Sequence, residues 1–394
     1  MRFRILQLVV LFWATQAYGS IWQVERDGSG DFSLLQDAAD AAASGDTIMV
    51  GSGRYDESQN YGGLPESPAR MIIGSKDLVV IGESDGSTVL GPDTRWAVGD
   101  PYHHGIVLIS DNKIVVENIV FTHLHGGIKS WLDGDVEISR CGFVDNHDSV
   151  LYVGGHAQIQ DCNFSDNGPN GDHVAAYSAE ELVIDGCAFE IAPTGSHLTV
   201  AGTDASISNC QFRGGSVAMT IDRGSIVEYS NCSFRDSRIG FFLGIGSPVM
   251  EVVDCSIANQ EQVILSYYRG ATIKLERVVI TDIEKAVFVV NHLNEGYVKD
   301  SILAKGDRGV VLYYPNYSKD KLEQDEEPVI NQFDMRNNDW GTTEPDSIRA
   351  WIEDNHDDTV IDYRVLWEPF VGQPVAVERS SFSGIKSMFR DATR

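Results

Sequence analysis

The sequence predicts an all-β fold, a single-stranded right-handed parallel β-helix of about ten turns, and three observations carry that prediction. The first is a period: Ile119, Cys141, Cys162, Cys187, Cys210, Cys232, Cys255, Val278 and Ser301 recur at steps of 21 to 25 residues. The second is a pair of apolar columns that flank this one. Three positions upstream stand Val116, Ile138, Ile159, Ile184, Ile207, Tyr229, Val252, Leu275 and Val298, and two positions downstream Phe121, Phe143, Phe164, Phe189, Phe212, Phe234, Ile257, Ile280 and Leu303. The third is what lies between them: Asn118, Asp161, Gly186, Asn209, Asn231, Asp254 and Asp300 accept a left-handed backbone and tight corners. Each copy therefore reads as strand, corner, strand. So short a unit cannot bury its own apolar face, and successive units must stack. The repeats lack both the spaced leucines of a leucine-rich repeat and the three-and-four spacing of a helical one. Parallel strands about 4.8 Å apart then pile like side chains into interior columns.

Taken in order, the chain opens Met1-Arg2-Phe3-Arg4, runs apolar from Ile5 to Ala14 and reaches the small-residue site Ala17-Tyr18-Gly19-Ser20. This reads as a secretory signal peptide over residues 1–19 and predicts an extracellular or cell-envelope protein. The apolar run is shorter than the roughly 20 residues a membrane span needs, and no later stretch reaches that length. Charge narrows the partners. Thirty basic against 58 acidic residues give a net −28, and loss of Arg2 and Arg4 with the leader takes it to −30. Such a surface repels nucleic acid and anionic lipid, and it repels acidic polysaccharides unless a cation such as Ca²⁺ bridges the charges. Its simplest role is to keep an exported monomer soluble.

A cap follows the leader. Trp22 to Phe32 contains Asp27-Gly28-Ser29-Gly30-Asp31-Phe32, and Ser33-Leu34-Leu35-Gln36 has the pattern of a capping box opening a short helix. Leu35, Ala38, Ala39 and Ala42 form its apolar face, with Gly45 as its stop, and such a helix would cover the open end of the coil. Next come the strand Asp46 to Val50 and Gly53-Arg54-Tyr55-Asp56-Glu57. This opening resembles that of pectin methylesterases and of many exported bacterial β-helix proteins of the pectin lyase-like superfamily. The resemblance covers the first 40 or so mature residues plus the repeats and implies the fold. The esterase segments Gln-Asp-Thr-Leu, Asp-Phe-Ile-Phe-Gly and Leu-Gly-Arg-Pro-Trp do not occur, so the resemblance does not extend to that reaction. Of the polygalacturonase pattern only His125-Gly126 and Ile128-Lys129 are present, without the acidic motifs that should precede them, which marks a chance match. The pectate lyase Arg-x-Pro-x-x-Arg is missing.

All six cysteines share one repeat position, where Ile, Val and Ser stand in the other copies. That pattern predicts small buried core residues with free thiols. Parallel side chains in a stack do not converge to disulfide spacing, and no CxxC or paired His accompanies them to suggest a metal. The expected divisions are the leader 1–19, cap and first strands 20–60, β-helix 61–315, loop and closing segment 316–373 and tail 374–394. In the closing segment Asp354, Asp357 and Asp358 offer a Ca²⁺ site, with a solvated acidic loop as the preferred alternative. The tail carries Phe382, Ile385, Met388 and Phe389 at helical spacing, suited to a docking or an extra packing helix.

A second strand in each repeat lies around Ile128, Val150, Val174, Leu198, Val217, Ile239 and Val263, and the neighbours of those inward residues should face solvent. They make a strip of Trp131, Asp148, Tyr152, His173, Tyr177, His197, Thr199, Asp222, Arg223, Arg238, Phe242, Tyr267 and Tyr268. Aromatic rings there can stack on sugars while acids, imidazoles and guanidiniums bond their hydroxyls. His173 and His197, one turn apart, are candidate catalytic residues with Asp148 and Arg238 as orienting or charge-stabilising groups. Trp131, Tyr152, Tyr177, Arg223 and Phe242 are candidates for substrate binding. The expected function is therefore an exported protein engaging polysaccharide or a cell-surface glycan along one face, with lyase or glycoside hydrolase chemistry as its enzymatic options. The rival is a non-catalytic surface or adhesive protein, because this architecture does not fix function.

Overall fold

The computed structural model describes residues 19–61, 64–95, 102–130, 132–168, 172–191, 195–266, 268, 270–290, 293–313, 331–354, 357, 363–368 and 370. Within them the chain winds as a right-handed parallel β-helix of about twelve turns, close to the ten expected. Three faces wall the coil. The first stacks fourteen strands, from Ile21–Val24 and Asp46–Val50 to Asn331–Asp334 and Tyr363–Leu366. The second begins with Gly53–Tyr55 and Thr88–Leu90, and the third includes His104–Leu108, Gly126–Ser130, Leu151–Val153, Asp172–Tyr177, Ser196–Ala201, Val217–Asp222 and Ile239–Leu243. An antiparallel pairing of Gln59–Tyr61 with Leu64–Ile73 departs from the otherwise parallel ladder.

The repeat columns become ladders in the register the sequence predicts. Val116, Ile138, Ile159, Ile184, Ile207, Tyr229, Val252, Leu275 and Val298 are successive partners on the first face. Phe121, Phe143, Phe164, Phe189, Phe212 and Phe234 are successive partners on the second, their rings 4.6 to 4.9 Å apart and within 6° to 11° of parallel. Each such ring contributes about 1.5–3 kcal/mol by leaving water. The corners between these faces have positive φ at all seven predicted residues, and also at Arg140 and Arg277.

All six cysteines are buried and free. The thiol of each donates toward the carbonyl two residues earlier, as Cys210 Sγ does to Ser208 at 3.0 Å, and Ser301 Oγ does the same to Lys299 at 2.7 Å. In seven of the nine copies the position thus holds a small donor at a corner, with Ile119 and Val278 as the exceptions. The N-terminal helix spans Leu35–Ala41 and buries Leu35, Ala38 and Ala39, but Leu34 caps it and no side-chain cap bond forms. The capping-box expectation fails there because the helix starts one residue beyond the position Ser33 could serve. Among the described residues no helix is long and apolar enough to cross a membrane.

Candidate functional site

Strand parity decides which side chains of the third face point away from the core. Ile106, Ile128, Leu151, Val174, Leu198 and Met219 point into the core, fully buried. Their neighbours Val107, Lys129, Tyr152, Ala175, Thr199, Thr220 and Phe242 form one outward row by register. A second outward row pairs His104 with Gly126 and, further along, Asp172 with Ser196.

At the N-terminal end these rows gather a titratable cluster. Lys129 is only 7% exposed, and burial lowers its ammonium pKa against the opposing pull of Asp148. Arg70 is 2% exposed, and its Nη1 lies 3.1 Å from His103 Nδ1 while its Nε has no partner. Burial brings its guanidinium down to about 10, so it stays charged at neutral pH. His104 is held neutral by burial, reinforced by the positive potential of Lys129, His125, His103 and Arg70, and its Nδ1 has no partner. His125 meets Tyr102 edge-on at 4.3 Å, and its Nε2 lies 3.7 Å from Asp148; burial outweighs that carboxylate and pushes its pKa down to about 4. Gly126 leaves room at the centre, where a Cβ would come within 2.6 Å of Lys129 Cε and 3.1 Å of His104 Nδ1.

Asp148, which acts on Lys129 and His125, also acts on Asp172 farther along the face. Burial, helped by the negative charge of Asp148, raises the Asp172 carboxyl to about 6 despite hydrogen bonds from Thr199 and Ser196. Tyr152 and Tyr177 hold their rings 5.9 Å apart next to it. Tyr177 is 36% exposed, and burial followed by the charge of Asp172 raises its phenol pKa. The arrangement joins a deprotonation-prone amine, an acid protonated at mildly acidic pH, a charged guanidinium and two sugar-sized rings.

Of the residues expected from sequence, Asp148, Tyr152, Tyr177 and Thr199 belong to this cluster. Arg223 stands at its edge, close enough for its charge to act on Tyr177. His173 and His197 do not belong. Both are 0% exposed and lie inside the coil, where His173 stacks 5.8 Å from Phe164 and His197 5.8 Å from Phe212. Their Nδ1 atoms are 3.5 Å apart, His197 Nε2 donates to Gly214 O at 3.1 Å, and burial lowers both pKa values. They cannot reach a substrate. The chain turns a corner there, so two successive residues, His173 and Val174, point inward and strict alternation fails. Arg238 is remote, its guanidinium bonded to Ser216 Oγ at 3.0 and 3.3 Å, and Phe242 packs into an apolar patch. Trp131 and Tyr267 lie outside the described residues.

Sequence reasoning missed Arg70, His104, Lys129 and Asp172. The signal for two cluster members was present in His125-Gly126 and Lys129, set aside as coincidence. In the closing segment Asp354 and Asp357 both converge on Arg349, at 3.3 and 2.9 Å, so a guanidinium supplies their cation; Asp358 lies outside the described residues. Among the described residues no three His, Cys, Asp or Glu side chains group to hold a metal ion.

Residues 97–212 match the family model described as a right handed beta helix region. That span contains the whole cluster except Arg70. No curated protein sequence matches the chain. Among solved structures it is similar to a mannuronan C-5 epimerase A-module of Azotobacter vinelandii, at 12% identity over 71% of this chain and 93% of the other, with a TM-score of 0.32. It is also similar to a mannuronic acid specific polysaccharide family 6 lyase from human gut microbiota, at 9% identity over 88% and 90%, TM-score 0.39. A DFA-IIIase from Arthrobacter chlorophenolicus A6 aligns at 13% identity over 84% and 85%, TM-score 0.39. These neighbours share the β-helix architecture, and their likeness carries no argument about chemistry in this chain.

Proposed function

We propose that the protein is an exported polysaccharide lyase acting on a uronate-containing glycan. The observation that carries this reading is Lys129, a buried amine with a lowered pKa that, like Arg70, lies close enough to His104 to act on it, on a chain whose net charge is −28. Concentrating buried cations on one patch of so acidic a protein provides a place where a sugar carboxylate is welcome although the remaining surface repels it. In β-elimination the Lys129 amine takes the proton beside the carboxylate, the ring carbon–carbon double bond forms, and the glycosidic C–O bond breaks. The departing oxygen takes a proton from the hydroxyl of Tyr152, the register partner of Lys129, while Arg70 offsets the carboxylate charge. Tyr177 and Tyr152 supply stacking surface for neighbouring sugars.

The raised carboxyl of Asp172 near Asp148 favours a second reading, glycoside hydrolysis with Asp172 as acid and Asp148 as base. Incubation with a panel of uronate and neutral glycans separates the two. Unsaturated, ultraviolet-absorbing products from uronates support the lyase, whereas new reducing ends without that absorbance support the hydrolase. Glycan binding with neither product would leave an adhesive surface protein. Export is part of the proposal and is supported by the close tie of Ser20 to the folded body, its N–H on Asp46 Oδ1 at 2.6 Å and its carbonyl on the Thr47 N–H at 2.8 Å. A mature N-terminus near Ser20, read by mass spectrometry of the secreted monomer, tests it.

A further inference from the structure

Among the described residues three arginines hold a positive φ, Arg140 and Arg223 at 54° and Arg277 at 53°, a left-handed state that costs free energy for any side chain with a Cβ. In two of them acids of the preceding turn offset that cost. Arg140 bonds Glu117 and Asn118, and Arg277 holds Asp254 through Nε and Nη2 at 2.7 and 2.9 Å. Arg223 differs: it is exposed, and among the described residues its guanidinium has no hydrogen-bond or ion-pair partner. Asp222 beside it accepts the Arg223 backbone N–H on one carboxylate oxygen at 2.8 Å, and the Ile245 carbonyl shares that N–H at 2.7 Å. A glycine would make the same corner with less strain. The corner thus gains nothing from this guanidinium.

Its surroundings point to a ligand. Tyr177, Ala201 and Asp222 are successive outward partners on the third face, so Arg223 follows two turns, about 10 Å, beyond Tyr177. Its charge still acts on the Tyr177 phenol across that interval. Along the same strands Tyr177 lies two turns from Lys129 and Asp222 four, about 19 Å. An extended pyranose chain advances by roughly one strand spacing per sugar, so a glycan running along the coil would pass Lys129, then Tyr177, then Arg223. We propose that Arg223 is the specificity-determining residue of a distal subsite, holding the carboxylate of a uronate two to four sugars from the one at Lys129. This rests on the uronate lyase reading and adds a direction and a minimum length to the substrate. A planar guanidinium fork matches a carboxylate, and an unpaired one draws that group to a chain whose net charge of −28 elsewhere repels it. Tyr177 supplies a ring face for the intervening sugar.

Calorimetric binding of oligouronides two to six sugars long, and of the carboxyl-reduced hexasaccharide, tests the subsite in the full chain. The titrations use a Lys129→Met background, so that no product forms during them. Arg223→Gly keeps the corner, and its Tm should match or exceed that of the background. Its Kd for the hexauronide should rise about three- to tenfold at low ionic strength, an effect that fades as salt is added. Binding of the diuronide and of the carboxyl-reduced hexasaccharide should not change, and Arg223→Lys should recover part of the loss. The subsite is overturned if Arg223→Gly binds the hexauronide as tightly as the background does, or loses affinity equally for the reduced hexasaccharide. A fall of several degrees in Tm with affinity intact makes Arg223 a corner residue and overturns it too. Arg223-dependent binding of a sulfated neutral hexasaccharide in preference to the uronide overturns the carboxylate assignment. The two proposals fail separately. Hexauronide bound through Arg223 without unsaturated product from the Lys129 parent removes the lyase alone, whereas unsaturated product with Arg223→Gly kinetics equal to the parent's removes the subsite alone. No binding of any uronide by the parent removes both.

Discussion

The two halves of the third face share strand geometry, register and parity but differ in what that geometry displays. In the N-terminal half the outward rows hold His104, Lys129, Tyr152 and Asp172; in the C-terminal half the same rows hold Ile239, Phe242, Leu265 and Val289. The coil dictates that side chains one turn apart lie about 4.8 Å apart on a common surface. It does not dictate whether that surface is chemical or apolar. The largest expected effect lies in the first half: Lys129→Met should cut glycan turnover by about 10²–10⁴-fold while the folded state keeps its circular dichroism and its Tm within a few degrees. A collapse of stability in place of activity would make Lys129 a structural residue and remove the contrast.

The second half should answer in stability. Leu265→Asp places a carboxylate in a site only 4% exposed, with an expected loss of about 3 kcal/mol in urea unfolding. Glycan turnover at a temperature where the variant is folded should be nearly unchanged. Loss of turnover without loss of stability would extend the functional surface into the apolar half.

A smaller, pH-dependent effect belongs to Asp172. Its folded carboxyl titrates near 6, above the ordinary 3.8, so the folded state holds the proton more tightly than the unfolded chain. The associated stability is fully present below pH 3.8, declines as pH rises toward 6, and stays lost above that. Asp172→Asn should flatten this window and leave the protein about 1–2 kcal/mol more stable than the parent at pH 8, after allowance for solvent screening. Activity adds a second limb. A lyase led by the Lys129 amine gains rate with rising pH, whereas a hydrolase led by the Asp172 acid loses rate above about 6. The slope of the pH–rate profile on a cleaved glycan therefore decides between them.

Interior order was legible because it repeats. Phe121 to Phe234 and Val116 to Val298 are dictated by a period, and a period survives in one dimension. The site is legible only in part because its members do not repeat. Arg70 arrives from Leu64–Ile73, outside the periodic stretch, and its closeness to His103 is a tertiary fact. Asp172 was passed over for its neighbour His173, a one-residue slip that exchanges inside for outside where the chain rounds a corner. Lys129 stands close to His125-Gly126 in the sequence, but only the fold brings His104 and Lys129 together over Gly126.

The smallest expected effect is the sharpest check on where the boundary between the halves falls. Arg238 stands just before Ile239, exposed, with its guanidinium on Ser216 Oγ and no described acidic partner. A surface hydrogen bond of this kind contributes little, so Arg238→Ala should change stability by no more than about 0.5 kcal/mol. Because it lies several turns from Lys129, turnover should change by less than about two-fold, measured as kcat/KM on a short glycan where distant subsites are empty. On a long glycan the same variant reports whether the chain of sugars runs past the cluster. A KM increase confined to long substrates would carry the binding groove over Ser216 and Arg238, and the apolar half would then begin at Ile239 rather than at Val217.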